Sequence, residues 1–63
     1  MTSSSEVISE LKRNGWVLVR VHGSHHVFKH PDYPEIVVVP HPKKNLPVGT
    51  LRAIAKAAHL HFN

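Results

Sequence analysis

The chain has 63 residues, a mass of 7.1 kDa and no cysteine. We therefore expect a single domain, residues 1–63, without disulfide bonds or a thiolate nucleophile. Hydrophobic residues make up 41% of the chain and charged residues 19%, which is typical of a folded domain rather than a disordered segment. The formal net charge of +4 favours polyanions, nucleic acid first, as partners. Many small basic domains bind no polyanion, so the charge alone leaves the partner open.

No membrane span or secretion signal is recognisable in the sequence. The longest aliphatic runs, Val17 to Val19 and Ile36 to Val39, are far shorter than the roughly 20 residues that cross a bilayer. Residues 1–6 lack both a basic and an apolar region. The pattern predicts a cytoplasmic protein without a membrane partner.

Two helices are predicted, one at each end of the chain. Ser3 and Glu6 fit a capping box at the start of the first helix, and Gly15 suits the left-handed position after its end. The second helix is expected over about 47–60, with the proline at 47 in its first turn. Asn45 and Thr50 are alternative caps for this helix.

Three strands are predicted between the helices, over 16–21, 25–30 and 35–39. The first of these segments is rich in β-branched and aromatic residues. Turns are expected at 22–24 and 31–34, where glycine and proline interrupt the pattern. Regular alternation in the first strand would place three valines on one face and the remaining residues on the other. The first set is Val17, Val19 and Val21, and the second is Trp16, Leu18 and Arg20.

The element order and the short connections predict an α+β fold, α-β-β-β-α. Both helices must bury their apolar residues, and one face of a three-stranded antiparallel sheet is the large surface available for both. The other sheet face should stay exposed. This outline is like that of a double-stranded-RNA-binding domain, and Trp16 is expected to anchor its core.

The segment from Gly23 to His30 carries three histidines beside a lysine and a glycine turn. Neighbouring residues of a strand point to opposite faces, so the adjacent histidines should occupy different environments. One face is expected to carry His25, Val27 and Lys29, and the other His26, Phe28 and His30.

Imidazole suits RNA cleavage, because it exchanges protons near neutral pH with a ribose 2′-hydroxyl or a leaving 5′-oxygen. Arg20, Lys29, Lys43 and Lys44 could hold the phosphate and offset the charge that grows on its oxygens. RNA supplies its own nucleophile, so neither a metal nor another cofactor is required. Alternatively, these are polar strand residues with hydrogen-bonding roles only.

Metal binding is the competing interpretation of the histidines. His25 and His26 are adjacent, which is poor spacing for one ion, and His26 and His30 would lie about 13 Å apart along a strand. No cysteine is available to complete a tetrahedral site. We expect no metal.

Residues 40–45 form a stiff, basic loop between the third strand and the second helix. This basic loop could present Lys43, Lys44 and the imidazole of His41 to a phosphate backbone, or it could be a solvated connector. Tyr33 could stack on a base, although a tyrosine in a turn between prolines more often packs locally.

Several motifs, in this order and spacing, resemble the HicA toxins over roughly residues 5–60. They are Gly15-Trp16, Gly23-Ser24-His25-His26 with the following Phe28 and His30-Pro31, Val38 to Lys44, and Leu46-Pro47-x-Gly49-Thr50-Leu51.

The resemblance implies the α-β-β-β-α fold and a ribonuclease that degrades messenger RNA and arrests growth. It implies that activity needs a histidine of the glycine-serine-histidine segment, here His25, with Gly23 and Ser24 beside it at the substrate. Some relatives have another polar residue at the first position of the histidine pair, which leaves His26 as an alternative. A HicB antitoxin is the implied protein partner, and it is expected to bury His25.

The sequence departs from the family at the end of the last helix. Relatives often have a glycine there, whereas this chain has Ala58-His59-Leu60. A different helix end is therefore expected. A non-catalytic double-stranded-RNA-binding module remains the alternative function, since it would share the fold and the basic surface.

Overall fold

The computed structural model describes residues 2–62, so Met1 and Asn63 of the predicted domain lie outside the described residues. Its elements follow the predicted order α-β-β-β-α. They are α1 (Ser4–Arg13), β1 (Val17–His22), β2 (His25–His30), β3 (Tyr33–Pro40) and α2 (Val48–Ala58). The strands form one antiparallel sheet in the order β1-β2-β3. None of the helices in residues 2–62 is long and apolar enough to cross a membrane.

The predicted capping box begins α1. Ser3 Oγ accepts a hydrogen bond from the Glu6 backbone N–H at 3.2 Å, and the Glu6 carboxylate accepts one from the Ser3 backbone N–H at 2.8 Å. The second bond lowers the pKa of the Glu6 carboxyl, since it favours the charged form. At the other end of α1, Gly15 has a φ of +92°, as expected for a glycine after a helix. Both ends of α1 are thus encoded locally.

The core lies between the two helices and one face of the sheet. Trp16 is 2% exposed, which confirms its predicted role as an anchor. Residues of both helices, of β2 and β3 and of the segment before α2 meet it. The buried cluster is Val7, Leu11, Trp16, Phe28, Val37, Val39, Leu46, Ile54 and Ala58.

The predicted alternation of β1 is wrong beyond Leu18, because the strand contains a register shift. Leu18 pairs with Phe28, but the next pair is Arg20 with Val27. Val19 is therefore the extra residue of a bulge, and it reverses the faces of the residues that follow it. Arg20 consequently lies on the sheet face opposite to Leu18.

The third strand is longer than predicted, since it begins at Tyr33 rather than at Glu35. The expected four-residue turn shrinks to Pro31 and Asp32. A second register shift lies between the pairs of Phe28 and His30. Because β3 is an edge strand, it tolerates Pro34, which has no N–H to donate.

The second helix also differs from the prediction at both ends. Pro47 is its N-cap and makes no side-chain cap hydrogen bond, so neither Asn45 nor Thr50 caps it. At the other end, His59 adopts the left-handed conformation, with a φ of 59°. His59 thus takes the backbone position in which relatives often have a glycine, and its ring stacks on Tyr33 with the centroids 4.1 Å apart.

Candidate active site at the hairpin end of the sheet

The hairpin between β1 and β2 presents the histidine pair. Its turn consists of Gly23 and Ser24, and Gly23 has a φ of +62° with no other atom within 4 Å of where a Cβ would stand. Directly across this turn, His22 pairs with His25, and both side chains are exposed. The turn, these two histidines and the neighbouring basic loop are called the hairpin end below.

The bulge in β1 brings the predicted cations onto one face of the sheet. Directly paired residues of antiparallel strands share a face, so Arg20 lies on the face of Val27, which also carries His25 and Lys29. This face turns away from the buried core and is called the open face. Lys29, His25 and Arg20 are all exposed on it. The regular alternation predicts Arg20 on the face of Trp16 and Leu18, and the bulge makes that prediction wrong.

His22 is a further candidate site residue that the sequence motifs did not single out, although its position in the hairpin could have indicated it. A two-residue turn places its flanking residues opposite each other, and the residue before Gly23 is a histidine. His22 therefore adds a second imidazole to the open face beside His25.

The alternative candidate, His26, lies on the opposite face and is half-buried. Its ring meets that of His41 edge-on, with the centroids 4.8 Å apart and an interplanar angle of 80°. Within residues 2–62, His26 Nδ1 is buried without a hydrogen-bond partner. The adjacent histidines occupy different environments, as the alternation predicted.

The basic loop is fixed against both the hairpin and α1. The His41 backbone N–H donates to the Ser24 carbonyl at 2.7 Å. Ser4, which is 1% exposed, receives a hydrogen bond from the Lys43 N–H at 2.8 Å and lies 2.7 Å from His41 Nδ1. The backbone of Lys43 is thereby fixed against α1, and the side chains of Lys43 and Lys44 are exposed. Ser4 carried no sequence signal, since its partners are 37 and 39 residues away.

The third histidine of the segment, His30, has a structural role. Its Nε2 lies 2.9 Å from the Asn14 carbonyl, and its Nδ1 accepts a hydrogen bond from the Asp32 N–H at 3.0 Å. The ring packs edge-on against Trp16, with the centroids 5.1 Å apart. His30 therefore links the end of α1 to the far end of β2, and it does not belong to the hairpin end.

Tyr33 packs locally instead of standing free to stack on a base. It stacks on Trp16, at 5.8 Å between centroids, as well as on His59. In the part of the chain that the structure describes, no group of three or more histidine, aspartate or glutamate side chains could hold a metal ion.

Comparisons with known proteins identify the family. The family model described as the HicA toxin of bacterial toxin-antitoxin matches residues 4–60. A solved structure entitled "HicA3 and HicB3 toxin-antitoxin complex" contains a chain that is 29% identical, with a TM-score of 0.85 over 98% of this chain and 100% of that one. Among proteins with curated descriptions, none matches. The family match, which spans nearly the whole chain, shows that this protein belongs to the HicA toxin family.

Proposed function

We propose that this HicA toxin is an endoribonuclease that cleaves messenger RNA in the cytoplasm and so arrests growth. The observation that carries the proposal is the arrangement of the open face, where an exposed histidine, His25, shares one surface with Arg20 and Lys29. Cleavage of an RNA phosphodiester needs a group that transfers protons, such as an imidazole, and cations that stabilise charge on the phosphate. Membership of the toxin family supports the same activity.

In the proposed reaction, His25 exchanges a proton with the substrate. The 2′-oxygen of the ribose loses its proton and attacks the adjacent phosphorus, and the bond from phosphorus to the 5′-oxygen breaks. The 5′-oxygen takes up a proton, which leaves a 2′,3′-cyclic phosphate and a 5′-hydroxyl. One well-placed histidine contributes typically 10²–10⁴-fold to such a rate.

The cations have a separate role, which is to hold the RNA backbone and to offset charge on the phosphate. Arg20 and Lys29 do so on the open face, while Lys43 and Lys44 extend the basic surface around the hairpin end. Gly23 and Ser24 let the backbone of the turn approach the substrate, because nothing beyond the adjacent residues lies within 4 Å of where a Gly23 Cβ would stand. No cofactor takes part in this scheme.

His26 remains the alternative catalytic residue. Its ring is half-buried and contacts that of His41 edge-on, so it could act on a phosphate bound at the end of the hairpin rather than on the open face. The two histidines are therefore compared directly in the test.

A HicB antitoxin is the proposed protein partner, by analogy with the HicA3 and HicB3 complex. The basic open face suits an acidic, complementary surface, and a partner seated there would cover His25. Hydrogen–deuterium exchange with and without the antitoxin should show protection of β2. Unchanged exchange there would indicate inhibition from another surface.

The decisive experiment compares the wild type with His25→Ala and His26→Ala on a defined messenger RNA in EDTA, both free and bound to ribosomes. We expect one variant to lose cleavage by 10²–10⁴-fold while RNA binding persists. The products should carry a 2′,3′-cyclic or 3′-phosphate. His61→Ala, at an exposed position beyond α2, is the matched control and should cleave normally.

A different set of results would favour the alternative, a module that only binds double-stranded RNA. In that case the wild type binds without cleaving either substrate, and Lys43→Ala and Lys44→Ala lower its affinity while His25→Ala does not. Metal-dependent cleavage with a 3′-hydroxyl product would contradict the proposed mechanism but not the nuclease activity.

A further inference from the structure

We propose that His41 is a second acid–base residue of this reaction, complementing the catalytic histidine of the hairpin. The inference rests on the proposed ribonuclease function and names a group that function still lacks. Cleavage requires one proton to leave the 2′-hydroxyl and another to reach the 5′-oxygen. In an in-line displacement these two oxygens lie on opposite sides of the phosphorus, so two separate groups serve them better than one.

The position of His41 is the first argument. Its backbone is bonded to Ser24, next to His25 in the chain, and its ring contacts that of His26 at a centroid distance of 4.8 Å. It therefore lies within the hairpin end, although it comes from a loop after β3. Lys43, two residues later in the same loop, adds an exposed cation.

The hydrogen bonding of His41 is the second argument. Ser4 Oγ lies 2.7 Å from His41 Nδ1 and 3.1 Å from the Lys43 carbonyl, and it accepts the Lys43 N–H at 2.8 Å. The single hydroxyl proton of Ser4 can point to either of the first two atoms. When Nδ1 is bare, the hydroxyl donates to it; when Nδ1 carries a proton, the ring donates to Oγ and the hydroxyl turns to the carbonyl.

This arrangement keeps His41 bonded in every protonation state. A fixed N–H donor on Nδ1 would instead lose its hydrogen bond when the ring is protonated, as the Asp32 N–H on His30 Nδ1 would. Ser4 is 1% exposed, so water does not readily replace it. His41 is half-buried, and its hydrogen bonds within residues 2–62 run through Nδ1 and the backbone N–H, which leaves Nε2 to meet a substrate oxygen.

The step balances with two histidines. One imidazole takes the 2′-hydroxyl proton as the bond from the 2′-oxygen to phosphorus forms. The other, which starts protonated, gives its proton to the 5′-oxygen as the bond from phosphorus to that oxygen breaks. Either role suits His41, because Nδ1 keeps its proton while Nε2 gains or loses one, and Ser4 Oγ can accept that Nδ1 proton throughout.

The test uses two substitutions of His41 that separate proton transfer from the hydrogen bond to Ser4. In His41→Asn the side-chain amide can still donate to Ser4 Oγ from about the place of Nδ1, but it cannot transfer a proton. His41→Ala loses both functions. We expect each variant to lower kcat by 10²–10⁴-fold with little change in RNA affinity, and His41→Asn to keep the thermal stability of the wild type.

Normal cleavage by His41→Asn would overturn the inference, since it would leave His41 a supporting role at most. Normal cleavage by His41→Ala would overturn it as well. His61→Ala again serves as the control for loss of a histidine. Absence of cleavage by the wild type would overturn the proposed function together with this inference, whereas an active wild type with active His41 variants overturns the inference alone.

Discussion

The two ends of β2 carry the same residue type in opposite situations. At the far end, His30 has both ring nitrogens within hydrogen-bond distance of backbone groups and packs against Trp16. Toward the hairpin, His25 is exposed, and Nδ1 of the neighbouring His26 has no hydrogen-bond partner within residues 2–62. A histidine is thus a candidate for chemistry when part of its hydrogen-bonding capacity remains unused, whatever its place in a motif.

The largest expected effect separates the two ends by activity. His30→Ala should leave kcat per folded molecule within a few-fold of the wild type, whereas loss of the catalytic hairpin histidine should lower it by 10²–10⁴-fold. His30→Ala should instead lower stability, because two backbone groups lose their partner. Single-turnover cleavage, normalised to the folded fraction measured by circular dichroism, makes the comparison. A large loss of kcat in folded His30→Ala would contradict the purely structural role of His30.

The next largest effect compares two glycines with positive φ, Gly15 near the far end of β2 and Gly23 at its hairpin end. Gly15→Ala should destabilise the domain by about 1–3 kcal/mol for two reasons. The new Cβ would stand 2.8 Å from His30 Nε2, and the backbone at this position has a positive φ that alanine rarely adopts. Gly23→Ala meets no atom within 4 Å and should cost about 1 kcal/mol, from the backbone alone. Urea denaturation of both variants measures the difference. Equal losses of unfolding free energy in the two variants would mean that the His30 ring moves away from the new Cβ at no measurable cost.

The smallest effect concerns the capping box that begins α1, next to Ser4 and the basic loop. Because the pKa of Glu6 is lowered in the folded state, its contribution to stability is present above its unfolded pKa of about 4.3. That contribution is lost as the pH falls through the lower folded value. Glu6→Gln should therefore melt slightly below the wild type at pH 7 and converge with it at acid pH. Parallel melting curves at every pH would show that the charge contributes nothing.

Much of this fold could be predicted because its signals are local. The strand from His25 to His30, the capping box and the anchor Trp16 all follow from neighbouring residues. The bulge at Val19 could not be predicted, because every residue of β1 from Val17 to Val19 favours a strand in either register. Pairing with β2 decides which register forms.

The candidate site was predictable to a similar extent. His25, Lys29 and the lysines of the basic loop are recognisable from their motifs, and the structure keeps His25 and Lys29 on one exposed face of the sheet, near opposite ends of β2. Arg20 was recognised but placed on the wrong face. The partnership of Ser4 with His41 spans 37 residues, and no spacing rule connects a helix start with a loop so far along the chain.

The bulge in β1 also bears on how this protein behaves in concentrated solution. β1 is an edge strand with exposed Val17, Val19 and Val21, and a flat valine-rich edge invites other chains to add to it. A bulge twists such an edge and interrupts the regular row of backbone groups that a neighbouring molecule would follow. The extra residue that turns Arg20 toward the open face therefore also opposes aggregation of the protein. We expect a variant without Val19, in which β1 is regular, to aggregate more readily and to lose Arg20 from the open face.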